Sequence, residues 1–438
     1  MTMIEPFEMQ GTCWLPDQER RVQGTLRFDP KDGISVALSE PLAAGSTDNQ
    51  MHASKIIHGV SSDGNKISLL DCIEYITNTH FRSHGIFFNA GLIAKQCVFG
   101  AHLTESTKFN KHKFILHNFL QFFFHTGIRT DQSHEIGYVW NSDKPVVFPV
   151  GEDEISIKMV SHSSFLLAEH TASIKEDAII SIDTASPLNN LDEAILGSFQ
   201  ALKAMLEFSL GYPVPIVQFQ SVATDTSGKS ENIEIFFSQS VYATQKIGIP
   251  QQDMLFSMCG KTDNYISDFV RKWYAFYSAN RFSIDVIINS GVQSAGVKRP
   301  EQSFFFLISS LEALHRSSGR MKKAILRQRL SDVLDVIPKC LPLHVHDKDI
   351  LVKNFKDYRT LLAHQIGHSE INDNIIFKWH LTLVLWGITV LYVLKLLDFP
   401  DESLVDIVKY RRNMLNALNW IGEVSSKPFG PRVKENGS

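Results

Sequence analysis

Cysteine is scarce in this 438-residue chain. Its five residues, Cys13, Cys72, Cys97, Cys259 and Cys340, are scattered and odd in number, and no two have zinc-knuckle spacing. A disulfide framework and a cysteine-based zinc site are excluded, and reduced thiols in a cytoplasmic setting are expected. The opening Met1-Thr2-Met3-Ile4-Glu5-Pro6 has no basic stretch leading into an apolar one, so no secretion signal is expected. Long apolar runs are missing too. Leu381–Leu394 has 14 residues without a charge, bounded by His380 and Lys395. A membrane span needs about 20, so this run reads as a buried core helix and no membrane partner is expected. A complete phosphate loop is absent: Gly228-Lys229-Ser230 resembles its end, but position 223 is Ala where the first glycine belongs.

Ordinary globular content fills the chain. Hydrophobic residues make up 44% and charged residues 21%, and the length suits two domains. The net charge of -4 hides a division. Residues 271–438 hold 24 Lys and Arg against 16 Asp and Glu, and residues 1–270 hold 19 against 31. A basic half of this kind suits a polyanion partner, or simply a differently charged surface.

Short runs alternating in period two, separated by turn signals, mark the first part as β-rich. Val22–Phe28, the turn Asp29-Pro30-Lys31-Asp32-Gly33, and Ile34–Leu38 form one such unit. Ile56–Val60, the turn 61–65, and Ile67–Leu70 form another, and Cys97–Leu103 reads as a further strand. Ala194–Leu210 reads as an amphipathic helix capped by Asn190 and stopped by Gly211 and Pro213, followed by strands at Ile216–Val222 and Ile233–Phe237. From about residue 265 the period becomes helical, with helices predicted over Tyr265–Arg281, Gln302–Arg316, Met321–Val336, Asp349–Gln365, Phe377–Leu397 and Leu404–Ile421. The expected fold is α+β. A β-rich region, sandwich or barrel-like, spans 1–265 with a helix inserted near 190–210; an all-α bundle follows over 266–425, then a flexible tail, 426–438.

Three constellations bear on chemistry. Asp357-Tyr358-Arg359-Thr360-Leu361-Leu362-Ala363-His364 sets an arginine and a histidine five positions apart. An always-charged guanidinium can neutralise a phosphate in a transition state, and an imidazole can move a proton near neutral pH. The spacing alone is weak: allowing spacings of four to six, composition predicts about two arginine–histidine pairs by chance, and Arg129–His134 is a second. Five residues turn a helix through about 500°, so Arg359 and His364 diverge by about 140°. Either the arginine sits at an irregular helix start or the site joins two chains. Arg316–Leu330 carries Arg316, Arg320, Lys322, Lys323, Arg327 and Arg329 with no acid, a candidate RNA-backbone face or a solvated helix face. His364 and His368 have the His-x3-His spacing of a zinc pair, but Gln365 replaces the glutamate base and Gly367 weakens the helix, leaving a metal hydrolase as a minor alternative. His112, His117 and His125, among phenylalanines, read as packed or surface residues.

An ordered series of segments resembles the ApeA-like family of HEPN proteins. Gly11-Thr12-Cys13-Trp14-Leu15-Pro16, Val22–Leu26, Ile57-His58-Gly59 with Ile67-Ser68-Leu69, and Phe99-Gly100-Ala101-His102 resemble its N-terminal region. Phe306–His315 resembles the first conserved HEPN helix, and Arg359–His364 falls at the nuclease motif. The resemblance implies a metal-independent endoribonuclease of anti-phage defence, acting by abortive infection, with no cofactor. His364 would handle the 2′-hydroxyl or leaving-group proton, and Arg359 would stabilise the phosphorane. Glu312 and Thr360 are candidates for supporting the site, although HEPN nucleases often carry Asn, Asp or His where Thr360 stands. Expected partners are RNA, with tRNA as a candidate, a second copy of the chain, and a phage-derived trigger. A non-catalytic HEPN module for dimerisation or RNA binding is the alternative.

Overall fold

A computed structural model describes residues 5–42, 52–82, 85–123, 128–130, 136–138, 145–166, 171–211, 214–238, 254–290, 300–321, 323–337, 347–364, 375–426 and 428–429. The chain forms two units, Met1–Gln200 with Val214–Gly248, and Ala201–Pro213 with Ile249–Ser438.

The first unit is built on one antiparallel sheet. Six strands close into a barrel: β1 (Phe7–Trp14), β2 (Val22–Asp29), β3 (Gly33–Leu38), β4 (His52–Ser61), β5 (Lys66–Arg82) and β6 (Gly85–Phe99). Their order is β6-β3-β2-β1-β4-β5, and β5 pairs back with β6 to complete the ring. Closure settles the sandwich-or-barrel alternative in favour of a barrel and removes the exposed edges an open sheet would leave. The sheet then continues from β6 through β14 (Ser230–Phe237), β13 (Ile216–Thr224), β7 (Lys108–Leu116), β12 (Thr171–Leu188), β11 (Asp153–Leu166) and β10 (Val146–Val150). Strand β6 is where barrel and extension part: Ala90–Ala94 pair with β3, whereas Gln96–Phe99 pair with β14. Gly33 guards that branch point. Its φ is +88°, and a Cβ there would lie 2.2 Å from the Ser238 hydroxyl, which accepts from the Ile34 N–H at 3.0 Å. A short ribbon, β8 (Ile128–Thr130) with β9 (Ile136–Tyr138), and helices α1 (Phe119–Phe123) and α2 (Leu191–Ala194) complete the described elements of this unit.

The predicted period-two segments fall on these strands, and the Asp29–Gly33 turn is held by the Asp29 carboxylate accepting from the Lys31 N–H at 2.7 Å. The strand expected over Cys97–Leu103 stops at Phe99, because Gly100 takes a φ of +107°. Gly228-Lys229-Ser230 lies at the β13–β14 hairpin, where Asp225 accepts from the Ser227 and Lys229 amides, so the strand-to-helix setting of a phosphate loop is absent there.

The second unit is helical. Asn190 caps the predicted Ala194–Leu210 segment, accepting from the Glu193 N–H at 2.8 Å. The helix itself breaks at Gly197, in a π-helical turn Ile195–Phe199, before α3 (Gln200–Leu210) begins. Gly211 ends α3 at a φ of +77°. Helix α3 packs within the helical unit: the Trp273 indole donates to the Ala201 carbonyl at 2.6 Å, and the Asn413 amide to the Leu210 carbonyl at 3.2 Å. The other helices are α4 (Asp263–Asn289), α5 (Pro300–Ser317), α6 (Leu326–Val336), α7 (Lys348–His364), α8 (Ile375–Leu396), α9 (Asp401–Tyr410), α10 (Arg412–Leu418) and α11 (Ile421–Ser426).

Two helix expectations are corrected. The helix expected from Met321 begins at Leu326, because Gly319 and Met321 both adopt positive φ and Ile325 is extended. The helix expected over Leu404–Ile421 is α9–α11, interrupted where Arg411 turns extended. Helix α8 is the centre of the unit. Every residue from Phe377 to Leu394 is buried apart from Trp379. It is long and apolar enough to cross a membrane, yet its apolar window is 83% buried inside the protein, as a core helix requires. Gly387 permits close approach to α10, since a Cβ there would meet Leu418 at 2.9 Å.

Candidate active site

Helix α7 carries the arginine–histidine pair. Its inward face is Leu351, Val352, Phe355 and Tyr358, all buried. Phe304 of α5 packs against Tyr358 with ring centroids 4.5 Å apart, and Phe429 lies 5.1 Å away on another side. Asn354, fully buried, fixes the helix's rotation. Its side-chain amide donates to the Val424 carbonyl at 2.7 Å, and its oxygen accepts from the Phe429 N–H at 2.5 Å. The Tyr358 hydroxyl is buried without a hydrogen-bond partner among the described residues, and burial, with a smaller contribution from Glu301, pushes its pKa well up.

This anchoring sets what α7 presents outward. Arg359 and Thr360 are half-buried, and Lys353 and Lys356 are exposed. The motif does not sit at a helix start, as one reading required: α7 begins at Lys348 and His364 is its last residue. The pair therefore lies on regular helix, about 140° apart and about 7.5 Å along the axis. On the same helical wheel, position 364 falls within about 20° of Lys353 and about 40° of Thr360, whereas Arg359 lies at the margin of the buried face. The Thr360 hydroxyl donates to the Lys356 carbonyl at 2.9 Å, so its proton is committed to the helix backbone. The His364 side chain, His368 and Lys322 lie outside the described residues, as does His134; Arg129 is on strand β8, not on a helix.

The other sequence-singled residues are placed differently from expectation. Glu312, a candidate for orienting Arg359, instead pairs with Arg316 at 3.1 Å and approaches Arg329 at 3.9 Å. The basic segment is not one helical face. Arg316 ends α5, Arg320 and Lys323 lie in the turn, and Arg327 and Arg329 start α6. Arg320 bonds Asp332 at 2.9 Å, and Arg327 bonds Asp349 at 3.2 Å. Arg329 is only 4% exposed and donates to the Ala324 carbonyl at 3.0 Å. It is a buried structural cation, contrary to its expected place on an RNA-binding face.

Sequence reasoning missed the polar cluster that Arg329 joins. His315, fully buried, is 2.9 Å from Asp332 through Nε2 and 3.4 Å from the Arg329 guanidinium through Nδ1. A guanidinium only donates, so Nδ1 accepts and the proton sits on Nε2, facing the carboxylate. Burial works against the Asp332 charge, but hydrogen bonds from Arg320 and His315 hold its carboxyl below the usual range. The sequence signal was available: His315 and Arg329 occupy the apolar stripes of their helices, where a polar residue must find a partner.

No group of histidine, cysteine and carboxylate side chains suited to a metal occurs among the described residues. Cys13, Cys72, Cys97 and Cys259 form no disulfide. Burial raises Cys13 to about 11 and takes Cys72 and Cys97 higher, which makes these three poor nucleophiles.

The family model described as ApeA N-terminal domain 1 matches residues 8–273, more than half of the chain. The chain belongs to the ApeA family. The matched span takes in the barrel, its sheet extension, α3 and the first part of α4; it ends before the helices that carry Glu312 and Arg359. The family-like segments of the barrel also meet in space: Trp14 is edge-on to His58 and His102, whose rings stack 4.8 Å apart. Both imidazoles point Nε2 at main-chain carbonyls, those of Leu103 and Gly59. No curated protein and no solved structure matches the chain significantly.

Proposed function

We infer that the protein is an anti-phage effector whose helical unit is a metal-independent HEPN endoribonuclease. Membership of the ApeA family supports the defence role. The observation that carries the chemistry is α7 itself. It brings Arg359, position 364 and two exposed lysines, Lys353 and Lys356, to one anchored helix. In the proposed reaction the ribose 2′-oxygen attacks the adjacent phosphorus as its proton is taken up. The bond to the 5′-oxygen then breaks, and that oxygen is protonated. The products are a 2′,3′-cyclic phosphate and a 5′-hydroxyl, with no oxidant and no metal needed. His364 serves the proton transfers, and Arg359 neutralises the charge that builds on the phosphorane. A divergence of about 140° on a regular helix suits a site completed by a second copy of the chain. RNA is the proposed substrate, tRNA a candidate within it, and a phage product the proposed trigger.

The test is substitution with a fold control. Arg359→Ala and His364→Ala should each abolish RNA cleavage and phage protection while leaving the circular dichroism spectrum unchanged. Protection that survives both substitutions would rule out the nuclease and leave a non-catalytic HEPN module. If His368→Ala were as damaging and EDTA blocked cleavage, the metal-hydrolase alternative would replace it. Loss of activity in Arg129→Ala and His134→Ala would move the site to the β-rich unit.

A further inference from the structure

A cavity of about 870 Å3 opens in the first unit where the sheet extension leaves the barrel. Its floor is a row of cross-strand neighbours. Lys113 of β7 lies opposite Gln220 of β13, Gln220 opposite Glu234 of β14, and Glu234 opposite Phe99 of β6. Residues directly opposed in a sheet share a face, so the row runs from a cation at one end to an aromatic ring at the other. Three inter-strand steps separate those ends, about 14 Å between backbones. Lys111, two residues from Lys113 on the same outward face of β7, adds a second cation.

The other end is aromatic. Phe7 of β1 stands edge-on to Phe99 and Phe236 at 5.6 and 5.1 Å, and Phe99 and Phe236 are mutually perpendicular at 5.5 Å. All three rings are half-exposed and line the cavity. Gly100 shapes the rim, since a Cβ there would lie 2.6 Å from the Asn232 carbonyl oxygen. Neither lysine has an ion-pair partner among the described residues. The acid in the lining, Glu234, already accepts from the Gln218 amide at 3.1 Å. Half-exposed rings, carboxamides that both donate and accept, and unpaired cations thus share one concave surface of ligand-sized volume.

We propose that this cavity binds a nucleoside phosphate. The base packs on Phe7, Phe99 and Phe236, the polar side chains of the floor meet its edge or sugar, and the phosphate lies at Lys111 and Lys113. Aromatic stacking tolerates any base, whereas the lysines demand an anion, so the site selects for the combination. It lies on the N-terminal unit and does not rest on the ribonuclease reading.

Calorimetric titration of the full-length protein tests it, with ATP, GTP, adenosine, pyrophosphate and a short single-stranded oligoribonucleotide as probes. ATP or GTP should bind at least ten-fold more tightly than adenosine or pyrophosphate, because only the complete nucleotide engages both ends. Lys111→Ala with Lys113→Ala should weaken that binding at least ten-fold, and Phe236→Leu should weaken it while keeping the apolar volume. Should the double variant unfold, Lys113→Gln carries the test on its own. The proposal is overturned if neither nucleotide binds at millimolar concentration, or if binding ignores the lysine substitutions. It is likewise overturned if only the oligoribonucleotide binds, which would make the cavity a strand-binding surface.

Discussion

Acid should destabilise the β-rich unit through one imidazole. His112 lies on the inward face of β7, 1% exposed, between Lys111 and Lys113, which face outward. The Ser221 hydroxyl is 3.0 Å from its Nδ1, and its Nε2 has no partner among the described residues. Burial lowers its pKa to about 4, and the attraction of Asp153 and Asp183 does not offset that. In the unfolded chain an imidazole titrates near 6.5. Because the folded value is the lower one, the unfolded chain binds the extra proton between about pH 6.5 and 4. The contribution is complete above the unfolded value and is lost as pH falls toward the folded one. A separation of roughly 2.5 units at about 1.4 kcal/mol each corresponds to about 3.5 kcal/mol, most of it gone by pH 4.5. His112→Gln removes the titration and keeps a side chain able to bond Ser221. Urea denaturation of both proteins at pH 7.5 and 4.5 isolates the imidazole, because every other group titrates in both. The wild type should lose about 2–3 kcal/mol more than the variant. Parallel losses in the two proteins would refute a buried, uncharged His112.

Four further outcomes concern α7 and the chemistry proposed for it. Replacing Lys353 and Lys356 with Glu should weaken RNA binding and flatten its salt dependence, each lysine that meets a phosphate contributing about one to the slope; an unchanged slope would take the RNA path off this face. Asn354→Ala strips two hydrogen bonds and leaves two main-chain groups without partners, so denaturation should report a loss of about 2–4 kcal/mol, and cleavage should fall as Arg359 loses its bearing. Tyr358→Phe deletes a buried hydroxyl that has no partner among the described residues and should leave stability unchanged or about 1 kcal/mol higher; a clear loss would mean that the hydroxyl is bonded. Cleavage should persist in EDTA, as a reaction run by Arg359 and His364 requires.

Period and punctuation made the β-rich half legible, but not its closure. Val22–Phe28 and Ile34–Leu38 alternate and turn at Gly33 as a hairpin must. Closure depends instead on the long β5–β6 pairing and on β6 dividing one edge between β3 and β14, and neither is local in sequence. The helical half failed where propensity and geometry conflict. The run from Met321 is rich in good helix formers, yet it follows a turn with positive φ at Gly319 and Met321, so α6 starts five residues later. The apolar stripe of α7 was readable, and with it which residues would be buried. That Asn354 would clamp the helix to Val424 and Phe429 was not, because that contact joins segments 70 and 75 residues apart.

Charge shows the same limit in a form that bears on function. The surplus of cations in residues 271–438 is densest over Arg316–Leu330. Packing neutralises much of that run: Arg316, Arg320 and Arg327 hold carboxylates, and Arg329 is buried beside His315 and Glu312. A cation already satisfied by a carboxylate has little to offer a phosphate, since the new contact must first replace the old one. Lys353 and Lys356 have no such partner among the described residues, and on α7 they lie about 20° and about 80° to one side of position 364. A strand of RNA drawn to those lysines would run along the helix that holds the arginine–histidine pair. The phosphate path and the proposed chemistry then depend on one rigid element, so whatever fixes the rotation of α7, Asn354 above all, fixes both together.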